Sequence, residues 1–212
     1  MQPTPKQKET RVFIFEGPDA VGKTTLAKHF AASIGAVYWH MTCTSKLAPA
    51  MLDYQLNAVA NANANIDRCS VVFDRLWPSE LCYGKVFRPD TMINPSVIRA
   101  EISKLDPVYV FCFDEKGAEA AADRHEVMLD SAHPYKREDY LQVYREYAEL
   151  YTLMVEANAN IGLHVESRYF DDRIVDQAAI DNYNEGFCQA LAAKYLLPDQ
   201  TPTVSLDELR QS

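Results

Sequence analysis

The sequence predicts a single α/β domain whose five-stranded parallel sheet is covered by helices on both faces. Three observations indicate this fold class. Short apolar runs alternate with helical patterns, a glycine-containing segment links the first run to the first helix, and 212 residues suit one domain. Hydrophobic residues make up 48% of the chain, which is enough for one core. Right-handed crossovers between successive parallel strands then place helices on both faces of the sheet.

The strands are predicted from short runs of β-branched and aromatic residues, which are typical of buried parallel strands. Five runs fit this description, at Arg11–Glu16, Ala36–His40, Ser70–Asp74, Val108–Phe113 and Ile161–Val165. Because all five are predicted to run parallel, their carboxyl ends meet at one edge of the sheet, where ligands bind in such folds.

The helices are predicted where apolar residues recur every three or four positions. They begin at Thr25, at Met51 (to Ile66), at Asn94-Pro95, at Glu138 (to Glu156) and near Asp171-Asp172. The Asn-Ala repeat at 57–65 belongs to a helix rather than a linker, because Leu52, Leu56 and Val59 keep helical spacing. A tyrosine stripe along the helix at 138–156 favours packing against the sheet over the lining of a base pocket.

The chain is predicted to contain one folded domain with short flanking segments. Residues 1–10 form a disordered lead-in, 11–197 the domain with a lid at about 115–139, and 198–212 a flexible tail.

The net charge of −9 argues against a broad nucleic-acid surface, although a local basic pocket for a small phosphorylated substrate is compatible with it. Five widely spaced cysteines and the lack of an apolar run long enough to cross a bilayer favour a cytoplasmic protein.

The segment after the first strand carries the most specific motif of the chain. Gly17, Gly22, Lys23 and Thr24 satisfy G-x-x-x-x-G-K-[ST] between a strand and a helix, which predicts a loop that binds nucleoside triphosphate. Backbone N–H groups and the helix N-terminus would hold the phosphates, Lys23 would reach the β- and γ-phosphates, and Thr24 would ligate Mg²⁺. The predicted ATP-binding residues are Gly17, Pro18, Asp19, Ala20, Val21, Gly22, Lys23, Thr24 and Thr25.

A second motif, Asp74-Arg75, ends the third strand. Asp74 is suited to hold Mg²⁺ or to accept a proton, and Arg75 to clamp an acceptor phosphate. An ordinary strand-end salt bridge is the alternative. Further acceptor-side candidates are Glu16, Asp19 and Arg88. Trp77 and Tyr83 are candidates for stacking on a base or closing its pocket. The predicted lid at 115–139 is a mobile cationic loop that would stabilise charge on the transferring phosphoryl group. Arg124 is the first candidate for this role and Arg137 the second. A solvated polar loop is the alternative.

These motifs resemble those of the thymidylate kinase family, within the P-loop nucleoside and nucleotide kinases. The segment at 15–25 is similar to that family's F-E-G-x-D-G-x-G-K-T-T signature, and Phe73-Asp74-Arg75 to its D-R motif. Asp106-Pro107 before the fourth strand and an arginine-bearing lid are also family-like, and the resemblance covers roughly 11–195. The stretch from Trp77 to Arg88 resembles divergent, phage-type members. The resemblance implies the P-loop kinase fold with a lid, and many such relatives are homodimers.

The resemblance also implies roles for single residues. Asp19 would hold the sugar 3′-hydroxyl of the acceptor, Arg75 its phosphate, and Asp74 would organise Mg²⁺. Family members without a basic residue in the loop use lid arginines, and Ala20-Val21 fits that variant. Two departures fall on the acceptor side: Ala20 replaces the usual glycine, and the usual acidic-proline-glycine segment after the second strand is replaced by Tyr38-Trp39-His40-Met41-Thr42.

The expected reaction is transfer of a phosphoryl group from ATP, with Mg²⁺, to a deoxynucleoside monophosphate, dTMP-like first. Such an acceptor is already anionic and needs no general base. One alternative acceptor is a hydroxyl, on a deoxynucleoside or on a hydroxymethylated base in phage DNA, for which Glu16 or Asp74 would take the proton. A further alternative is a nucleotide-binding module without an acceptor.

Overall fold

The computed structural model describes residues 9–42, 50–90, 94–128, 136–161, 163–170 and 177–196. Most of the expected lead-in, the tail, the start of the last helix at Asp171-Asp172 and part of the lid lie outside these residues. The strands are β1 (Val12–Glu16), β2 (Val37–His40), β3 (Val71–Asp74), β4 (Val108–Asp114) and β5 (His164–Phe170). They form one sheet in the order β2-β3-β1-β4-β5 with every pair parallel, which confirms the predicted fold class.

The helices alternate with these strands. They are α1 (Lys23–Ile34), α2 (Met51–Asn65), α3 (Trp77–Ser79), α4 (Lys85–Phe87), α5 (Ser96–Ser103), α6 (Ala118–Met128), α7 (Arg137–Ile161) and α8 (Gln177–Leu196), and a π-helical turn (Glu80–Gly84) joins α3 to α4. None of the helices in the described part of the chain is both long and apolar enough to cross a membrane.

Aromatic side chains on the two faces of the sheet explain where the long helices pack. Phe13 of β1 points to one face, where its ring lies 4.7 Å from that of Phe30 on α1. Phe111 and Phe113 of β4 point to the other face, and both rings lie 5.5 Å from Tyr151 on α7. Since side chains alternate between faces along a strand, and Phe13 is in register with Val108, α1 and α7 cover opposite faces.

The fifth strand differs from its prediction. The apolar run at 161–165 predicts the strand there, but α7 continues to Ile161 and β5 extends from His164 to Phe170. The strand buries polar side chains that an apolar pattern does not detect. Glu166 accepts hydrogen bonds from Lys194 and Tyr195, both at 2.5 Å, and Arg168 donates to Asn184 at 2.9 Å, so α8 supplies the partners that make this burial tolerable.

The expected lid loop is also different. Much of 115–139 forms α6, and α7 begins at Arg137, so the described part of the lid is helical rather than a loop. Ala121 and Ala122 are buried, which explains how an alanine-rich, polar segment forms a packed helix against β4 and α7. Residues 129–135, including His133, lie outside the described residues.

Candidate active site

The loop between β1 and α1 follows a backbone path that needs specific residues. Gly17 has φ +142°, and a Cβ atom there would lie 2.3 Å from the carbonyl oxygen of Cys112 on β4. Only glycine allows this close approach of β4 to the start of the loop. Ala20 and Gly22 also have positive φ, of 62° and 73°. Ala20 therefore adopts the left-handed conformation without being glycine.

Side chains from α6 and α7 hold two successive carbonyl groups of this loop. The hydroxyl of Tyr140 donates to the carbonyl oxygen of Asp19 at 2.6 Å, and Nε of Arg124 donates to that of Ala20 at 3.3 Å. The Tyr140 ring stacks on His125 at 4.4 Å. The shape of the phosphate loop is therefore supported by side chains far away in sequence.

Lys23, the first residue of α1, contacts the acidic residue at the end of β3. Its Nζ atom lies 2.5 Å from Oδ1 of Asp74, and both side chains are buried. Burial alone would raise the pKa of Asp74, but the charge of Lys23 and the hydrogen bonds around the carboxylate hold that pKa well below its usual range. The pair forms because the carboxyl end of β3 lies beside β1 in the sheet.

Two side chains of β2 complete the environment of Asp74. The hydroxyl of Tyr38 donates to Oδ2 at 2.9 Å, and Nδ1 of His40 lies 2.8 Å from the same atom. An ionised carboxylate only accepts, so this imidazole nitrogen must carry the proton. With Lys23 and a hydrogen bond from Thr24, four side chains surround one carboxylate.

The donor set at this point fits Mg²⁺ held mainly through water and phosphate. Thr24 and Asp74 offer hard oxygen atoms, which Mg²⁺ prefers, and Mg²⁺ usually keeps several waters. Among the residues that the structure describes, no cluster of three or more His, Cys, Asp or Glu side chains could hold a metal alone. Because Asp74 already accepts from four donors, it fits an indirect role better than direct coordination.

Arg75 lies at the centre of a hydrogen-bond network between the end of β3 and the loop after β1. Its Nη2 atom donates to Oδ1 of Asp19 at 2.5 Å and to the hydroxyl of Tyr83 at 3.1 Å. Its Nη1 atom donates to the hydroxyl of Tyr147 at 3.2 Å and lies 3.4 Å from Oγ of Ser79. The guanidinium also lies 4.6 Å from the centre of the Tyr83 ring, a cation–π distance. The salt bridge between Arg75 and Asp19 thus joins the end of β3 to the phosphate loop, which is distant in sequence.

Glu16 is fully buried behind this network. It accepts hydrogen bonds from the backbone N–H of Leu76 at 2.6 Å, from Oγ of Ser79 at 2.7 Å and from the hydroxyl of Tyr147 at 3.1 Å. Burial raises its pKa to about 7 despite these donors. Its contacts anchor the segment after β3 to the end of β1, and its side chain has no exposed surface.

The raised pKa of Glu16 predicts a pH-dependent stability. Between pH 4.5 and about 7 the folded protein keeps a proton on Glu16 that the unfolded chain loses, so stability falls as the pH rises through this window. The full effect is about 3 kcal/mol, at about 1.4 kcal/mol per pKa unit. We expect Glu16→Gln to flatten the change in unfolding free energy between pH 5 and pH 8, measured by urea denaturation. The exposed Glu149→Gln is the control; equal slopes for Glu16→Gln and the unmodified protein would contradict this assignment.

The remaining acceptor-side candidates have different environments. Trp77 is buried, and its indole N–H donates to the hydroxyl of Tyr109 at 3.0 Å, so its placement favours packing over stacking on a ligand. Tyr83 lies beside the loop, where its hydroxyl donates to Oδ2 of Asp19 at 2.9 Å. Arg88 forms a buried ion pair with Glu80 at 2.6 Å.

The two lid arginines are placed differently. Arg124 reaches the phosphate loop, pairs with Asp114 and stacks over the ring of Phe170 at 4.7 Å. Its Nη1 atom is buried and has no hydrogen-bond partner among the described residues. Arg137 is not brought to the loop. Three acidic side chains of α6 surround it on the exposed surface, because Glu119, Asp123 and Glu126 recur at helical spacing on the side facing the start of α7.

Five residues of the site make hydrogen bonds that the sequence does not predict. These are Tyr38, His40, Ser79, Tyr140 and Tyr147. The sequence correctly predicts that the tyrosine rings of α7 pack in the interior. It does not predict the hydrogen bonds that their hydroxyl groups make. His40 could have been found from its position at the end of the predicted second strand, because the carboxyl ends of parallel strands share one edge of the sheet.

The sheet order and the glycine-containing loop between β1 and α1 give this chain the fold of P-loop proteins. The YorR protein from Bacillus subtilis, solved in complex with phosphorylated GDP, has a similar structure over 84% of this chain and 96% of its own, with a TM-score of 0.56 and 22% identity. At this identity the similarity shows the fold alone. No protein-family model and no curated protein matches the sequence.

Two further solved structures resemble the chain more weakly. Deoxyadenosine kinase from M. mycoides with bound dCTP covers 85% of this chain and 100% of its own, with a TM-score of 0.49 and 14% identity. A gluconokinase from Sinorhizobium meliloti 1021 covers 92% of this chain and 100% of its own, with a TM-score of 0.47 and 11% identity. These scores are too low to bear on function.

Proposed function

We propose that the protein is an ATP- and Mg²⁺-dependent phosphotransferase with a small nucleotide-like acceptor. The observation that carries this proposal is the buried contact of Lys23 with Asp74 beside the phosphate loop. A lysine there is placed to meet the β- and γ-phosphates, and the carboxylate holds it in position before the nucleotide arrives.

The described residues have distinct tasks in such a reaction. The loop amides and Lys23 bind the phosphates of ATP, while the buried Nη1 atom of Arg124 is available to a phosphate oxygen. Mg²⁺, held by Thr24 and indirectly by Asp74, would neutralise charge on the β- and γ-phosphates. The protein thereby aligns donor and acceptor and stabilises the charge of the transferring group.

The acceptor side consists of Asp19, Arg75 and Tyr83. The sequence resemblance supports a deoxynucleoside monophosphate as acceptor, and the guanine nucleotide bound to YorR is compatible with a nucleotide substrate. A hydroxyl acceptor is the second candidate. The contact of Arg75 with Asp19 favours this candidate, because the guanidinium is already neutralised.

The direct test is ADP formation from ATP and Mg²⁺ in the presence of separate acceptor classes. These are deoxynucleoside monophosphates, deoxynucleosides, and DNA that contains hydroxymethylated bases. Stimulation by one class, with transfer of the γ-phosphoryl group detected on the acceptor by mass spectrometry, is the expected result. Tight ATP binding with turnover that no acceptor changes would favour a nucleotide-binding module instead.

Replacement of Arg75 tests the acceptor side separately. We expect Arg75→Ala to lower kcat/KM for the acceptor at least about tenfold, which corresponds to about 1.4 kcal/mol, while ATP binding changes little. Steady-state kinetics with each substrate varied in turn, together with ATP binding by calorimetry, measures both effects. Arg68→Ala, at an exposed position after α2, is the matched control. Unchanged acceptor kinetics in Arg75→Ala would remove this residue from the acceptor site.

A further inference from the structure

We infer that the acceptor of this protein is an uncharged hydroxyl group rather than a phosphate, and that Asp19 accepts its proton. This inference rests on the proposed phosphotransferase function and names the acceptor class. The observations behind it are the ion pairs on the acceptor side and the exposure of the three carboxylates around the loop.

The acceptor-side arginine is already committed to a carboxylate. Arg75 Nη2 lies 2.5 Å from Oδ1 of Asp19, and only 11% of the Arg75 side chain is exposed. The hydroxyl of Tyr83 bonds to the other oxygen of the same carboxylate. A phosphate that approached Arg75 would meet the negative charge of Asp19 at the same place. The two anions would compete for one guanidinium.

The next cations along the chain are paired in the same way. Arg88 lies 2.6 Å from the fully buried Glu80, and Lys85 lies 2.6 Å from Glu146. Among the described residues, each cation from the end of β3 to Arg88 therefore has its own carboxylate. The net charge of these three ion pairs is zero, without Glu16. A dianionic phosphate needs an excess of positive charge, whereas a hydroxyl needs only hydrogen-bond partners.

Exposure identifies the carboxylate that can take the proton. All three carboxylates accept hydrogen bonds from other groups of the protein, and those of Asp19 come from Arg75 and Tyr83. Exposure separates them, because Glu16 and Asp74 have no exposed surface. The side chain of Asp19 is 46% exposed and lies within the phosphate loop. Of these three carboxylates it is therefore the one open to an incoming acceptor. The sequence-based choice of Glu16 or Asp74 as base is replaced by Asp19.

The proposed transfer is a direct displacement at the γ-phosphorus of ATP. The acceptor oxygen attacks this phosphorus and forms a new P–O bond. The bond between that phosphorus and the oxygen bridging to the β-phosphate breaks, and ADP leaves with the bonding electrons. The hydroxyl proton passes to Asp19, which later releases it to solvent. Arg75 and Tyr83 keep Asp19 oriented during this transfer.

Matched acceptor pairs test the charge of the acceptor. Each of the four deoxynucleosides is compared with its own 5′-monophosphate, and hydroxymethyluracil-containing DNA with unmodified DNA, in an ADP-release assay with ATP and Mg²⁺. We expect a hydroxyl compound to be used at least about a hundredfold better, in kcat/KM, than its monophosphate. The DNA arm distinguishes a free nucleoside from a hydroxyl carried on a base. Use of monophosphates alone would overturn the inference and leave the phosphotransferase function intact. No transfer to any acceptor would overturn the function and the inference together.

Asp19→Asn gives a test in which the two acceptor classes respond in opposite directions. With a hydroxyl acceptor, loss of the proton acceptor should lower kcat by about 10²–10³-fold. Binding of a monophosphate should improve by about tenfold, because the competing anion is gone and Arg75 is released. A merely structural role of Asp19 would weaken both acceptors and ATP binding alike, which calorimetry with a non-hydrolysable ATP analogue measures. The exposed Asp67→Asn is the control. Retention of full hydroxyl turnover in Asp19→Asn would overturn the assignment.

Discussion

Replacing Lys23 by alanine is expected to reduce phosphoryl transfer by at least about 10²–10³-fold, the range seen when one charge-stabilising group is removed from an active site. The ammonium group is buried beside the phosphate loop and has no substitute at the same position among the described residues, since Arg75 is turned toward Asp19. The measurement is ADP formation at saturating substrate concentrations. Lys28→Ala, an exposed lysine on the same helix, should keep normal activity.

The same substitution also has a structural effect that must be separated from catalysis. Without Lys23, the buried carboxylate of Asp74 loses its charged partner, and breaking a buried pair costs about 3–5 kcal/mol. Tyr38 and His40 still donate to Asp74 and reduce this cost. Thermal unfolding of the variant below the assay temperature would make the activity result uninterpretable, so Lys23→Met, which keeps most of the side-chain volume, is measured in parallel. A folded Lys23→Met variant with normal turnover would contradict the proposed role.

Gly17→Ala is expected to destabilise the protein by about 2–5 kcal/mol. The new Cβ atom would lie 2.3 Å from the carbonyl oxygen of Cys112, and the φ of +142° is strained for any residue with a side chain. Gly35→Ala is the matched control, because Gly35 also has positive φ, of 67°, but no atom lies within 4 Å of the position that its new Cβ atom would take. Urea denaturation of both variants isolates the cost of the contact with β4. Equal stability of the two variants would show that β4 does not approach the loop this closely.

The part of the fold that could be predicted from the sequence is the part determined by local patterns. The apolar runs located β1 to β4, and the phosphate-loop motif located the turn between β1 and α1. The prediction for β5 was displaced because its inward side chains include Glu166 and Arg168, which are buried with partners on α8. A pattern of apolar residues contains no information about such partners.

In the candidate site, too, local motifs could be predicted from the sequence and contacts between distant elements could not. The motifs identified Lys23, Asp74 and Arg75, since strand carboxyl ends share one edge of the sheet. Which cation pairs with which carboxylate depends on distances between elements, and no spacing in the sequence gives them. For this reason Arg137 was expected near the phosphates, whereas it lies among the acidic side chains of α6.

The hydrogen bonds from α6 and α7 to the loop carbonyls have a thermodynamic consequence. Tyr140 and Arg124 link the position of two helices to the conformation of the loop at Asp19 and Ala20. Two equilibria that share such a link must affect each other by the same factor. For the nucleotide proposed here, any change in the position of these helices that alters the loop changes the binding affinity, and nucleotide binding changes the helix equilibrium by the same factor.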